Sequence, residues 1–142
     1  RVLSPYLCDT SRRLGRQLLR TVTRVWSSPG LHAVGATVDG PHQPVVLGAA
    51  VAAAGGDATE AAAIAFHHLA AAVTSAAVRL LGLDPIDVAV VQEWAGRRTD
   101  EHLAQATRWA ATPPSELPAC GGSLTEILGE HHGSLDARMF VA

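Results

Sequence analysis

One stretch, DATEAAAIAFHHLAAAVTSAAVRLL (Asp57–Leu81), restricts the fold more than any other part of the chain. It predicts one long helix with punctuation at both ends. Asp57 suits the N-cap, and Glu60, three positions on, can reach back to the free backbone donors. Arg79 lies in the last turn, where a cation meets the negative end of the dipole, and Gly82 follows as the left-handed closing residue. Phe66, Leu69, Val73, Ala77 and Leu80 recur at steps of three or four and form a large-residue stripe; Ala61, Ala65, Ala72 and Ala76 form a small-residue stripe beside it. At 1.5 Å per residue the helix spans about 36 Å, roughly the diameter of a small domain. An apolar circumference of this kind predicts burial. The expected fold is therefore all-α: one domain over residues 1–142, a helical bundle around this long Ala-rich helix.

The composition agrees with closely approaching helices. Of the 142 residues 48% are hydrophobic but only 4% aromatic, so the core is expected to be built from small side chains. The charge is split. Residues 1–38 carry six arginines and one acid, and the rest carries five arginines and twelve acids, +5 against −7. There is no lysine, which excludes a Walker-type phosphate loop and Schiff-base or pyridoxal-phosphate chemistry. Cys8 and Cys120 are far apart and belong to no CxxC pair, which predicts free thiols in a reducing compartment. No basic start followed by an apolar run marks a signal peptide. Asp57–Leu81 is long enough to cross a membrane but carries His67, His68, Thr74, Ser75 and Arg79, so a span is not expected.

Ser11–Trp26 predicts an amphipathic helix, with Leu14, Leu18, Val22 and Val25 on one face and Arg13, Arg16, Arg20 and Arg24 on another. Gly15 inside it is unfavourable by about 1 kcal/mol against Ala, and close packing is the expected reason. The Arg face is either solvated or an anionic partner's surface. Residues 27–44 read as a loop, with a short extended piece at Val34–Val38. Pro44 opens a helix over Val45–Ala54 that stops at Gly55-Gly56. Asp84-Pro85 caps a further helix, expected to kink or break at residues 96–99 before Asp100–Ala111. Ser123-Leu124-Thr125-Glu126 reads as a capping box for a helix over Leu124–His132 that stops at Gly133. Ser134–Ala142 is a tail.

Candidate chemistry is sparse. His67 and His68 are adjacent on a helix and point about 100° apart, so they cannot chelate one ion together. No HExxH, no zinc spacing, no GxSxG elbow and no GxGxxG occurs. Gly121-Gly122-Ser123 is better explained as a helix start than as a nucleophile turn. Asp84 and Asp87 complement a helix dipole. An apolar pocket near His67, holding a small ligand in a regulatory protein, is the alternative reading of the central helix. The tail carries Met139, Phe140 and Val141, large apolar residues where chains usually fray, beside Arg138, a residue type favoured at interface hot spots.

Three segments, SRRLGRQLL, VRLLGLDP and HHGSLDARMFVA, come in an order that resembles the urease accessory protein UreF family. SRRLGRQLL (Ser11–Leu19) resembles the family's Ser-Arg-x-x-Gly-x-x-Leu-Leu helix. VRLLGLDP (Val78–Pro85) resembles its Val-Arg-Leu joint. HHGSLDARMFVA resembles its ending, a His-Glu, a spacer, then Arg-Leu-Phe-x-Ser, with His132, Arg138 and Phe140 at the corresponding places. Gly133 stands where the family usually has Glu, and Ala142 for its final Ser. The family's Leu-Pro and Gly-Gly-rich N-terminal motif has no counterpart, so the chain is expected to be the C-terminal two-thirds of such a protein. The resemblance implies an all-α, non-catalytic, cytoplasmic maturation factor without a cofactor. It implies a homodimer that binds the accessory protein UreD (also called UreH) and recruits the GTPase UreG to deliver Ni2+ to the urease apoprotein, with no part for nucleic acid or membrane. It also implies that the tail, 134–142, is a partner-binding element. The candidate partner-binding residues are His132, Arg138, Met139 and Phe140, with Arg12 and Arg79 from the other two matching segments.

Overall fold

The computed structural model describes residues 4–118 and 122–135. They form six α-helices, with no strand among the described residues: α1 (Pro5–Val25), α2 (Pro29–Gly35), α3 (Gln43–Ala53), α4 (Ala58–Leu81), α5 (Pro85–Ala110) and α6 (Ser123–Ser134). The all-α expectation holds. The helices group into two compact units, one of α1, α2, α3 and α6, the other of α4 and α5.

In the first unit Val22, Leu31, Val46 and Ala50 form the buried core, one or two from each of α1, α2 and α3, with Leu18, Leu19, Val34, Ala49 and Ala53 packed around it. Leu31 and Val46 are shut off from solvent. Residues 29–35 are a helix and not the loop that composition predicts. Ser28-Pro29 supplies the start, since Pro at the first helical position gives up only a donor that would be unpaired anyway, and burial of Leu31 holds so short a helix in place. Val34 belongs to this helix, so the extended piece predicted at Val34–Val38 does not form. α1 also begins earlier than Ser11. Ser4 caps it, its Oγ accepting from Leu7 N at 3.1 Å, and Pro5 is its first residue.

Gly15 is buried in α1, and the reason is a backbone crossing. A Cβ there would lie 2.0 Å from the Pro41 carbonyl oxygen and 3.0 Å from Gln43 N. The chain entering α3 passes directly over the helix at this point.

The second unit is an antiparallel helix pair. At α4 the expected capping box is complete: Glu60 N donates to Asp57 Oδ1 and Asp57 N to Glu60 Oε2, each at 2.9 Å. Gly82 closes α4 at φ 63°. Asp84 caps α5 by accepting from Ile86 N at 2.8 Å. α5 runs through residues 96–99 without a break. The Glu93–Arg97 pair bridges one turn there, and Thr99 Oγ1 donates to Ala95 O at 3.0 Å; one interior glycine is too small a penalty to interrupt it.

Burial of α4 departs from expectation. Its one buried residue is Thr74. The half-buried row is Thr59, Ala63, Phe66, Ala70 and Ala77, matched on α5 by buried Val88 and half-buried Gln92, Ala95, Thr99, Leu103 and Ala106. Leu69, Val73 and Leu80, from the large-residue stripe, are exposed, as are Ala65 and Ala72. Small side chains let the helices approach, so the larger ones turn outward. Polar pins fix the register. Gln92 Nε2 donates to Thr74 Oγ1 at 2.6 Å, and Thr74 Oγ1 donates to Ala70 O at 2.8 Å; the Thr59 and Thr107 hydroxyls pair at 2.9 Å. Thr74→Val should strand the Gln92 amide and destabilise the pair by about 1–2 kcal/mol, read as a lower urea midpoint.

Candidate partner-binding site

α6 lies against the start of α1, and two glycines set the contact. A Cβ on Gly129 would meet the Leu7 side chain at 2.8 Å, and one on Gly133 would meet the Tyr6 ring at 2.6 Å. Gly133 is therefore helical and a point of close approach, not the stop expected from sequence. The helix begins at Ser123 with Gly122 at the cap position and no side-chain cap, so the predicted capping box is not formed.

Glu130 ties the two helices electrostatically. Its Oε1 accepts from Ser4 Oγ at 2.5 Å and from Tyr6 N at 2.9 Å. Ser4, at the N-cap, satisfies one free donor of α1, and Glu130, from α6, satisfies another. The bond from Ser4, then that from Tyr6, holds the Glu130 carboxyl below its ordinary value. A depressed folded-state pKa contributes stability that is fully present above the unfolded value and is lost as pH falls through the folded one. The advantage of the native chain over Glu130→Gln should thus shrink on acidification below the usual glutamate range, in thermal melts from about pH 6 to pH 3.

The candidate residues fall at separate places. His132 is half-buried on α6, its ring edge-on to Tyr6 with centroids 6.2 Å apart and planes at 64°. Arg12 lies half-buried on α1 and lines a cavity of about 510 Å3 together with Tyr6, Asp9, Arg13, Arg16 and Asp39. Tyr6 thus touches both neighbourhoods. Arg79 is exposed in the last turn of α4, in the other unit. Arg138, Met139 and Phe140 lie outside the described residues, as does Cys120. Sequence reasoning missed Glu130 and Tyr6. Nothing periodic marks them, because their roles exist only where α6 meets α1.

The cleft near His67 is small. Ala63, Phe66, Ala70, Gln92, Gly96 and Thr99 are among its walls, and its volume is about 130 Å3, against about 300–1,000 Å3 for ordinary ligand pockets. The His67 and His68 ring centroids are 6.3 Å apart. Among the described residues no group of three or more His, Cys, Asp or Glu is placed to hold a metal ion.

The family model of UreF matches residues 2–95, from the capped start of α1 through the middle of α5. The chain belongs to the UreF family. It is similar to the urease accessory protein UreF of Mycobacterium marinum, 31% identical over 142 residues, which is all of this chain and 63% of that protein. The urease accessory protein UreF of Mycolicibacterium vanbaalenii is 32% identical over 142 residues, again the whole of this chain and 62% of the relative. The chain thus spans less than two-thirds of the length of these relatives. No solved structure matches it. The family match covers Arg12, Arg79 and the Gly15 crossing but not α6, so the Glu130 clamp lies beyond it.

Proposed function

We propose that the chain is a urease maturation factor: a non-catalytic helical scaffold that binds UreD (UreH) and recruits the GTPase UreG, so that Ni2+ reaches the urease apoprotein. Membership of the UreF family supports this, as do the names of its mycobacterial relatives. The observation that carries the reading is the outward surface of the α4–α5 pair. Leu69, Val73 and Leu80 on α4 and Ile86, Val90 and Trp94 on α5 are all exposed. Monomeric proteins rarely leave so much apolar surface uncovered unless something docks on it. A homodimer and the accessory partners together would cover it.

α4 is long and apolar enough to cross a membrane by length and composition. Its complete capping box, its Thr74–Gln92 pin and its two histidines favour a helix in water that a protein covers, in keeping with a cytoplasmic scaffold. The His67 cleft is too small to favour the small-ligand alternative.

The tail and Arg138 are the proposed contact. Arg138→Ala, or deletion of residues 134–142, should leave the circular dichroism of the chain unchanged and remove UreD (UreH) and UreG from a pull-down. Retention of both partners at native levels would refute the assignment.

A further inference from the structure

The cavity beside the first turns of α1 has a chemistry that the scaffold reading does not specify. It is walled by Arg12, Arg13 and Arg16, by Asp9 and Asp39, and by Tyr6. Arg12 and Arg13 are half-buried, and the Nε atom of each is out of contact with water and without an acceptor in the protein. Among the described residues no ion pair joins these arginines to Asp9 or Asp39. Arg16 Nη1 donates only at 3.5 Å, to the Asp39 carbonyl. Gly40, at φ 84°, folds against the Arg16 side chain. The Nε atoms of two guanidinium groups are therefore out of water, and among the described residues no carboxylate is paired directly with either group. Charge-assisted pairing is strongest for such groups.

We propose that this cavity accepts a carboxylate presented by an acidic polypeptide partner, an inference that rests on reading the chain as a scaffold. The charge balance selects a carboxylate over a phosphate. Three arginines against two aspartates leave one positive charge, enough for one carboxylate, whereas a doubly charged phosphate would face both aspartates. The guanidinium fork matches a carboxylate with two parallel hydrogen bonds. The same helix supplies an internal comparison. Arg20 and Arg24 line a second cavity of about 490 Å3, yet both are exposed and free to hydrate.

Hexaglutamate is the probe, titrated calorimetrically into the native chain, with inorganic phosphate and hexalysine in parallel. The expected result is binding of hexaglutamate that weakens at roughly 0.3 M NaCl. Arg12→Gln with Arg13→Gln should weaken it by about tenfold or more. Arg20→Gln with Arg24→Gln, which removes the same charge, should change it by less than about threefold. Arg12→Lys with Arg13→Lys should fall between, because charge is kept and the fork is lost; it is the variant to read if the Gln pair does not fold. Absence of hexaglutamate binding, equal losses in the two Gln pairs, or displacement of hexaglutamate by equimolar phosphate would each overturn the proposal. The titration uses no urease protein. A failed titration beside a successful pull-down rejects the carboxylate site alone, and the converse rejects the scaffold role alone.

Discussion

Gly15→Ala should destabilise the first unit by about 3 kcal/mol or more, although replacing glycine by alanine inside a helix ordinarily stabilises by about 1 kcal/mol. The sign reverses because the new Cβ would lie 2.0 Å from the Pro41 carbonyl oxygen. No rotamer change relieves a contact between a Cβ and a backbone atom. Either α1 withdraws from the strand of chain entering α3, which opens the Val22–Leu31–Val46–Ala50 core, or residues 41–43 move and α3 shifts with them. The loss would be a large part of the about 5–15 kcal/mol that holds a domain together. Gly48→Ala in α3 is the control. Nothing lies within 4 Å of a Cβ there, so that change should raise stability by about 0.5–1 kcal/mol. Urea midpoints of the two variants moving in the same direction would contradict the crossing geometry.

Leu31→Ala has the second largest expected effect, a loss of about 2–5 kcal/mol. Leu31 is the side chain by which α2 enters the core, and it is 1% exposed. A helix of this length has almost no stability of its own. The truncation should therefore both leave a cavity and release α2. Amide exchange through residues 29–35 is expected to accelerate much more than exchange in α4, which belongs to the other unit. Protection of α2 equal to that of the native chain would mean that local signals, and not this burial, hold the helix.

The local signals in the sequence were reliable where a helix end carried its own chemistry. Asp57 with Glu60, Gly82, and Asp84 with Pro85 all act as their residue types suggest, because each bond closes within a few residues. Gly15 was legible as a point of close packing, since an interior glycine is unfavourable without such a reason, but its neighbour was not. The amphipathic pattern places the start of α1 at Ser11, six residues late, because neither the Ser4 cap nor the bond from Ser4 to Glu130, 126 residues away, leaves a periodic signal. Composition predicts a loop where α2 forms, because Ser, Pro and Gly dominate the surrounding segment, and burial of Leu31 outweighs that composition. Local rules predict a cap at Ser123 and a stop at Gly133; packing of α6 on Tyr6 and Leu7 carries the helix past both. Of the candidate site, Arg12, Arg79 and His132 could be placed, at separate positions, and the tail residues lie outside the described residues.

The sequence alone determined the helical class, the extent of α4 and its junction with α5, since capping, periodicity and the lack of strand patterning act over short distances. It also determined the family, through SRRLGRQLL and VRLLGLDP. It did not determine which face of α4 is covered. Composition treats Leu69, Val73 and Leu80 as core because they are large and apolar. Only the packed pair decides that Thr, Ala and Gln make most of the seam, with Phe66, Val88 and Leu103 among them, and that Leu69, Val73 and Leu80 stay exposed. Helix spacing alone puts Asp9, Arg12 and Arg13 on one side of α1, but only the tertiary structure decided that Asp39, from the connection between α2 and α3, completes their cavity.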